Sequence, residues 1–225
     1  MFTPAAAIFD LDGTLLDSMQ IWQKIDSEFL KRRGHICTPD YTDAIKSMSW
    51  QEGAEYTISR YGLPETPEQV IDAWFSMSHE FYMHEVQMKP YAKEYLLALH
   101  ELGIPLAIAT SMEPQENIEI VLRAHGILDL FRNITVTREV KRGKGFPDIY
   151  LLASERLGIE PSRCAVFEDI LSALTGARQG GFLTVGIYDK LSEKDWPEIK
   201  KEATLAVTSF KELMDRSYPE ISQIS

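Results

Sequence analysis

Short apolar runs that do not alternate with polar residues punctuate the chain: Ala5–Phe9, Pro105–Ala109, Ile134–Val136, Cys164–Phe167 and Leu183–Ile187, with Thr204–Val207 as a last one. A non-alternating run is buried on both faces, which is how a strand reads in a parallel sheet covered by helices on each side. Helical spacing lies between these runs. Tyr91, Tyr95, Leu99 and Leu102 recur every three or four residues and Gly103 stops them; Ile149, Leu152, Ala153 and Leu157 do the same before Gly158. From Lys89 onward strand and helix alternate, which predicts an α/β fold built on a doubly wound parallel sheet of Rossmann-like type.

Residues 16–86 break this pattern. They contain no strand-like run. Trp22, Ile25 and Phe29 mark a helix ending near Gly34, a second pattern runs from Trp50 to Tyr61 before Gly62, and a third from Pro67 to His84 with proline in its first turn. The expected organisation is a core of residues 1–15 and 87–225, interrupted after its first strand by an α-helical domain, 16–86. No internal repeat and no low-complexity tract is present.

Composition narrows the function classes. The 225 residues, 44% hydrophobic and 25% charged, are ordinary globular usage and exclude disorder, coiled coil and collagen. A chain of this length buries ~70–75% of its unfolded surface, so its core needs no staples. The net charge of −11, from 34 acids against 23 bases, repels phosphate backbones and argues against nucleic acid as a partner. A small anionic substrate remains compatible if a local positive or metal-bearing pocket holds it. No run of 18 apolar residues occurs, so no membrane span is expected, and the first apolar run stops at Asp10 with no basic segment before it, unlike a secretory signal. Two cysteines, Cys37 and Cys164, point to a reducing, cytoplasmic setting rather than a disulfide framework. A monomer or weak homodimer is expected.

The candidate chemistry sits at strand ends. Asp10-Leu11-Asp12-Gly13-Thr14 follows the first strand directly. Two carboxylates two positions apart on an extended segment point the same way, and Gly13 permits a tight turn. Thr110 and Ser111 follow Pro105–Ala109, Lys144 lies in Arg142-Gly143-Lys144-Gly145-Phe146, and Glu168-Asp169 follows Cys164–Phe167. Each has a bland reading: Thr110, Ser111 or Asp169 as a helix cap, Lys144 as a solvated loop lysine. Their joint occurrence at strand ends, which converge on one rim of a parallel sheet, is the informative observation. The five histidines show no metal spacing, and no P-loop motif occurs.

In these four motifs, and across its whole length, the chain resembles the haloacid dehalogenase superfamily of phosphohydrolases. Its helical insertion is similar to the cap of the beta-phosphoglucomutase-like branch. Two departures occur: Gly145 follows the lysine where that family usually has proline, and Ile170 follows the acidic pair where a small or polar residue is usual. The resemblance implies a phosphatase of a small phosphorylated metabolite, of the sugar or nucleoside phosphate class, working with Mg²⁺ through an aspartyl-phosphate. A phosphomutase is the alternative within the same chemistry, and a non-catalytic binding module on the same fold is the third reading.

The roles implied are these. Asp10 is nucleophile and metal ligand, Asp169 a second ligand and Glu168 a third contact; Asp12 ligates through its backbone carbonyl and uses its carboxyl as acid and base. Lys144, Thr110, Ser111 and Gly13 bind the phosphoryl group. In the cap, Trp50 falls near the position where beta-phosphoglucomutases carry a phosphate-gripping arginine, and Ser49, Lys46 and Trp22 are the further specificity candidates. Tryptophan cannot form a bidentate pair with phosphate but can stack on a sugar or base.

Overall fold

A computed structural model describes residues 1–18, 20–45, 48–112 and 115–215, apart from the side chains of residues 43 and 115. The chain divides into two compact units, residues 1–18 with 87–225, and residues 19–86.

The larger unit holds strands β1 (Ala6–Phe9), β2 (Leu106–Thr110), β3 (Phe131–Val136), β4 (Cys164–Glu168), β5 (Leu183–Ile187) and β6 (Leu205–Val207). All pair in parallel, in the order β3-β2-β1-β4-β5-β6. This is the doubly wound sheet that the apolar runs predict. The order reverses direction between β1 and β4, and such a switch point opens a crevice at the carboxyl ends of the strands.

Both faces of the central strands are dry. On one face Ala6, Ile8, Ala107, Ala109, Cys164 and Val166 pack against Ile149, Tyr150, Ala153 and Leu157 of α7 (Asp148–Leu157), Ala177 of α8 (Leu171–Gln179) and Phe182. The small alanines let these helices approach closely. On the other face Phe9 stacks on Phe167 with ring centroids 4.3 Å apart, and Phe167 meets Tyr95 of α5 (Ala92–Glu101) and Phe210 of α10 (Phe210–Asp215); α6 (Gln115–Ala124) and α9 (Trp196–Glu202) are this unit's other α-helices among the described residues.

Three local expectations need correction. β3 starts at Phe131, not Ile134, because it lies at the sheet edge and its first residues are only partly buried, which hides them from a search for apolar runs. Tyr91 is not part of the buried helical stripe: it precedes α5 with φ 64°, a conformation L side chains rarely adopt, and is exposed. Asp169 does not cap α8, whose N-cap is Ile170 with no side-chain cap.

The smaller unit is helical: α1 (Ile21–Arg32), α2 (Pro39–Ile45), α3 (Trp50–Tyr61) and α4 (Pro67–His84). α3 and α4 each begin with a capping box, Ser49 with Glu52 and Thr66 with Gln69, which satisfies orphan amide groups at both starts. Phe29, Tyr41, Ala54, Val70 and Trp74 fill its interior. Asp26 on α1 is also buried, and burial pushes its carboxyl from the ordinary 3.8 up to about 7.

Between these two values the unfolded chain has lost the Asp26 proton and the folded chain keeps it, so rising pH favours unfolding. The loss is complete above about pH 7 and amounts to at most roughly 4 kcal/mol. Asp26→Asn should therefore stabilise the protein by about 1–3 kcal/mol at pH 8 and much less at pH 5. Denaturant melts at both values test this, and a variant no more stable than wild type at pH 8 would show that Asp26 carries no burial penalty.

Candidate active site

Strand register assembles the site. Phe9 lies opposite Phe167, and the Asp10 N–H donates to the Phe167 carbonyl at 3.0 Å. The residues leaving the two strands, Asp10 from β1 and Glu168-Asp169 from β4, are thereby set side by side in the switch-point crevice. All three carboxylates are buried, and one oxygen from each lies within 4.8 Å of the others.

Lys144 reaches this cluster from the loop before α7. Its ammonium donates to Asp10 Oδ1 and, at 2.6 Å, to Glu168 Oε1. Burial alone would lower its pKa; the charges of Asp10 and Glu168 outweigh burial and hold the ammonium above the ordinary lysine range. The loop reaches so far because Gly176 on α8 has no side chain. A Cβ there would lie 2.8 Å from the Gly145 carbonyl carbon and 2.9 Å from the Phe146 nitrogen. The Tyr150 hydroxyl donates to the same Glu168 oxygen at 3.0 Å. That bond was hidden in the sequence, because Tyr150 belongs to α7 and its partner is at the end of β4.

Asp169 is the least satisfied member. Thr14 Oγ1 donates to its Oδ1 at 3.2 Å, while Oδ2 is buried without a hydrogen-bond partner among the described residues. Burial first, then the charges of Glu168, Asp10 and Asp189, raise its carboxyl well above the ordinary range. Burial likewise raises Glu168, against the opposing pull of Lys144. Gly13 has φ +84°, and a Cβ there would lie 2.8 Å from Asp169 Cγ. Gly13 therefore keeps open the space in front of the unpartnered oxygen. Three carboxylates against one ammonium leave an excess of negative charge that a dry site tolerates poorly. An all-oxygen donor set with one unpartnered buried oxygen and a vacated Cβ position fits a hard divalent cation.

Asp12 stands apart from the cluster. Its Oδ1 accepts from Ser18 Oγ at 2.5 Å, a partner six residues on that the motif alone does not disclose. Thr110 ends β2 next to β1, is buried, and its Oγ1 accepts from the Met112 N–H at 3.0 Å. Ser111 beside it is exposed. Thus Asp10, Asp12, Gly13, Thr110, Ser111, Lys144, Glu168 and Asp169 all lie at the carboxyl ends of the strands or in the loop that reaches them. Of the two departures from the family pattern, Gly145 has open space around its missing Cβ among the described residues and Ile170 is exposed, so neither displaces a candidate site residue.

The remaining candidates belong to the helical unit. Trp50 opens α3, is 38% exposed, and packs on Trp22 at 4.9 Å and edge-on against Phe75 at 5.1 Å. Ser49 caps the same helix. Lys46 lies outside the described residues.

The family model for haloacid dehalogenase-like hydrolases matches residues 7–187. The "Phosphorylated carbohydrates phosphatase" of Thermotoga maritima is 28% identical over 84% of this chain and 87% of its own. The plasmid-encoded protein CbbY of Cupriavidus necator is 30% identical over 84% of this chain and 80% of its own. Among solved structures, a HAD hydrolase of family IA, variant 3, from Entamoeba histolytica superposes with a TM-score of 0.76 at 25% identity, covering 97% of this chain and 98% of that one.

Proposed function

The chain belongs to the haloacid dehalogenase-like hydrolase family, and on that premise we propose that it is a Mg²⁺-dependent phosphatase of a small phosphorylated metabolite, of the sugar or nucleoside phosphate class. One observation carries the reading: the buried Asp10–Glu168–Asp169 cluster holds more negative charge than Lys144 neutralises, at the one rim where Thr110 and Asp12 also converge.

Asp10, Asp169 and Glu168, with the Asp12 backbone carbonyl, would hold the ion. Bound there, Mg²⁺ supplies the positive charge that lets a carboxylate and a phosphate dianion approach each other. An Asp10 carboxylate oxygen attacks phosphorus, and the bond from phosphorus to the ester oxygen breaks. Asp12 gives its proton to that leaving oxygen, then takes a proton from the water that attacks the aspartyl-phosphate and releases orthophosphate. Ser18 fixes the Asp12 carboxyl for both transfers. Lys144 and the Thr110 hydroxyl offset charge on the phosphoryl oxygens.

Substrate choice falls to the helical unit. Trp50 offers a flat, partly exposed ring and no cationic fork, which favours net hydrolysis over the two-phosphate grip a mutase needs. The test is a panel of phosphomonoesters with and without Mg²⁺. Release of orthophosphate that disappears on chelation and returns with Mg²⁺ is expected. Hydrolysis that survives exhaustive chelation, or isomerisation of hexose 1-phosphates that outpaces phosphate release, would overturn the reading. Among the described residues no helix is long and apolar enough to cross a membrane.

A further inference from the structure

A fourth buried carboxylate borders the site. Asp189 lies just beyond β5, the strand that pairs with β4 through Glu168 and Gly186, and it is 4% exposed. Because Glu168 lies opposite Gly186, Asp169 and Asp189 leave neighbouring strands at the same rim of the sheet. Lys89 answers it from far along the chain: the Lys89 ammonium donates to Asp189 Oδ2 at 2.6 Å and to the Tyr188 carbonyl at 3.0 Å. The second Asp189 oxygen accepts the Leu191 N–H at 2.8 Å. The backbone of Lys89 is tied as well. Its N–H donates to the Leu15 carbonyl at 2.8 Å, Asp17 N–H donates to the Gln87 carbonyl at 2.9 Å, and Leu16 bridges Met88. The Leu16 carbonyl in turn accepts the Gly13 N–H at 2.9 Å. Lys89 is thus joined to the Asp10–Thr14 turn through backbone and to the Asp169 side of the crevice through its ammonium.

We propose that Lys89 is a positioning residue of the carboxylate site, its ammonium cancelling the Asp189 charge beside Asp169 and so setting the balance between cation and anion binding there. This rests on the phosphatase reading for its two probes, Mg²⁺ and orthophosphate. Removing the ammonium leaves a buried carboxylate uncompensated, so the rim becomes more negative: it attracts a cation more and repels a phosphate dianion more. Removing the Asp189 charge instead leaves a buried ammonium, and both effects change sign. At the modest effective dielectric of a protein interior, one such charge is worth about 3- to 10-fold in each affinity.

The experiment is calorimetry with Mg²⁺ alone, and with orthophosphate at saturating Mg²⁺, on the full chain. Lys89→Met should tighten Mg²⁺ and weaken orthophosphate by about 3- to 10-fold. Asp189→Asn keeps the acceptor for Leu191 and should do the reverse. The double variant has no net charge change and should return both affinities to within about two-fold of wild type, although the tether itself is gone. With an aryl phosphate, KM should follow orthophosphate affinity and kcat should move less. Should Lys89→Met not fold, Asp189→Asn and the double variant still carry the test through their opposite expectations. Single variants that weaken both ligands together, or a double variant that restores neither, would overturn the proposal in favour of a purely structural pair. Failure of the phosphatase reading looks different: wild-type protein that releases no phosphate from any ester, while the opposed shifts in ion binding persist.

Discussion

Asp10→Asn should abolish turnover, with a loss of at least ~10⁴-fold, while leaving the fold intact. The amide has the shape of the carboxylate but lacks the anionic oxygen that the proposed mechanism needs for attack on phosphorus. It still accepts from Lys144, and the backbone bond that fixes its place, N–H to the Phe167 carbonyl, is untouched. Taking one negative charge from a buried cluster of three also relieves repulsion, so the melting temperature should hold or rise. Asp12→Asn should behave differently. Its side chain accepts from Ser18 and is not one of the three carboxylates grouped to hold an ion among the described residues, so Mg²⁺ affinity should survive while turnover falls by about 10²-fold through loss of proton transfer. Asp169→Asn should instead lose metal affinity first, since its buried Oδ2 has no other partner among the described residues. Metal titration and aryl phosphate hydrolysis on the three variants separate these roles. Equal loss of Mg²⁺ affinity in the Asp12 and Asp169 variants would show that the division is wrong.

Why some of this could be read from the chain and some could not is a matter of distance and burial. Ala6–Phe9 and Cys164–Phe167 announce themselves because both faces are dry and every position is apolar. The candidate carboxylates then follow as the first polar residues after each run, and parallel pairing of Phe9 with Phe167 does the rest. An edge strand gives a weaker signal: Arg132 in β3 is exposed, so only the inner half stands out. α2 is seven residues long with few apolar positions, too short to show a helical period. Partnerships that span the chain leave no local trace. Tyr150 serves Glu168 from another element, and Lys89 serves Asp189 across 100 positions; each reads locally as one more helix or loop residue. Tyr91 shows the converse failure, in which a large apolar side chain at helical spacing belongs to a left-handed residue outside the helix.

Gly176→Ala should damage both stability and catalysis, because of where the added carbon must go. Ala is ordinarily the better helix former by about 1 kcal/mol. Here the Cβ would meet the backbone at Lys144, Gly145 and Phe146, including the Gly145 carbonyl carbon at 2.8 Å. Backbone cannot rotate away as a flexible side chain can, so either α8 or the lysine loop has to move. Overpacking of this kind costs about 1–3 kcal/mol. A loop yields more readily than a helix packed on the sheet, and a shift of this one would draw the Lys144 ammonium away from Asp10 and Glu168, which turns a packing defect into the loss of the cluster's cation. A fall in melting temperature together with about 10²-fold slower aryl phosphate turnover is expected. The control lies in the same loop. Among the described residues nothing lies within 4 Å of a Cβ at Gly145, so Gly145→Ala should change neither stability nor turnover appreciably. If both alanine variants behave alike, the close approach of the loop to α8 is not what delivers Lys144, and the lysine must be held by its two carboxylates alone.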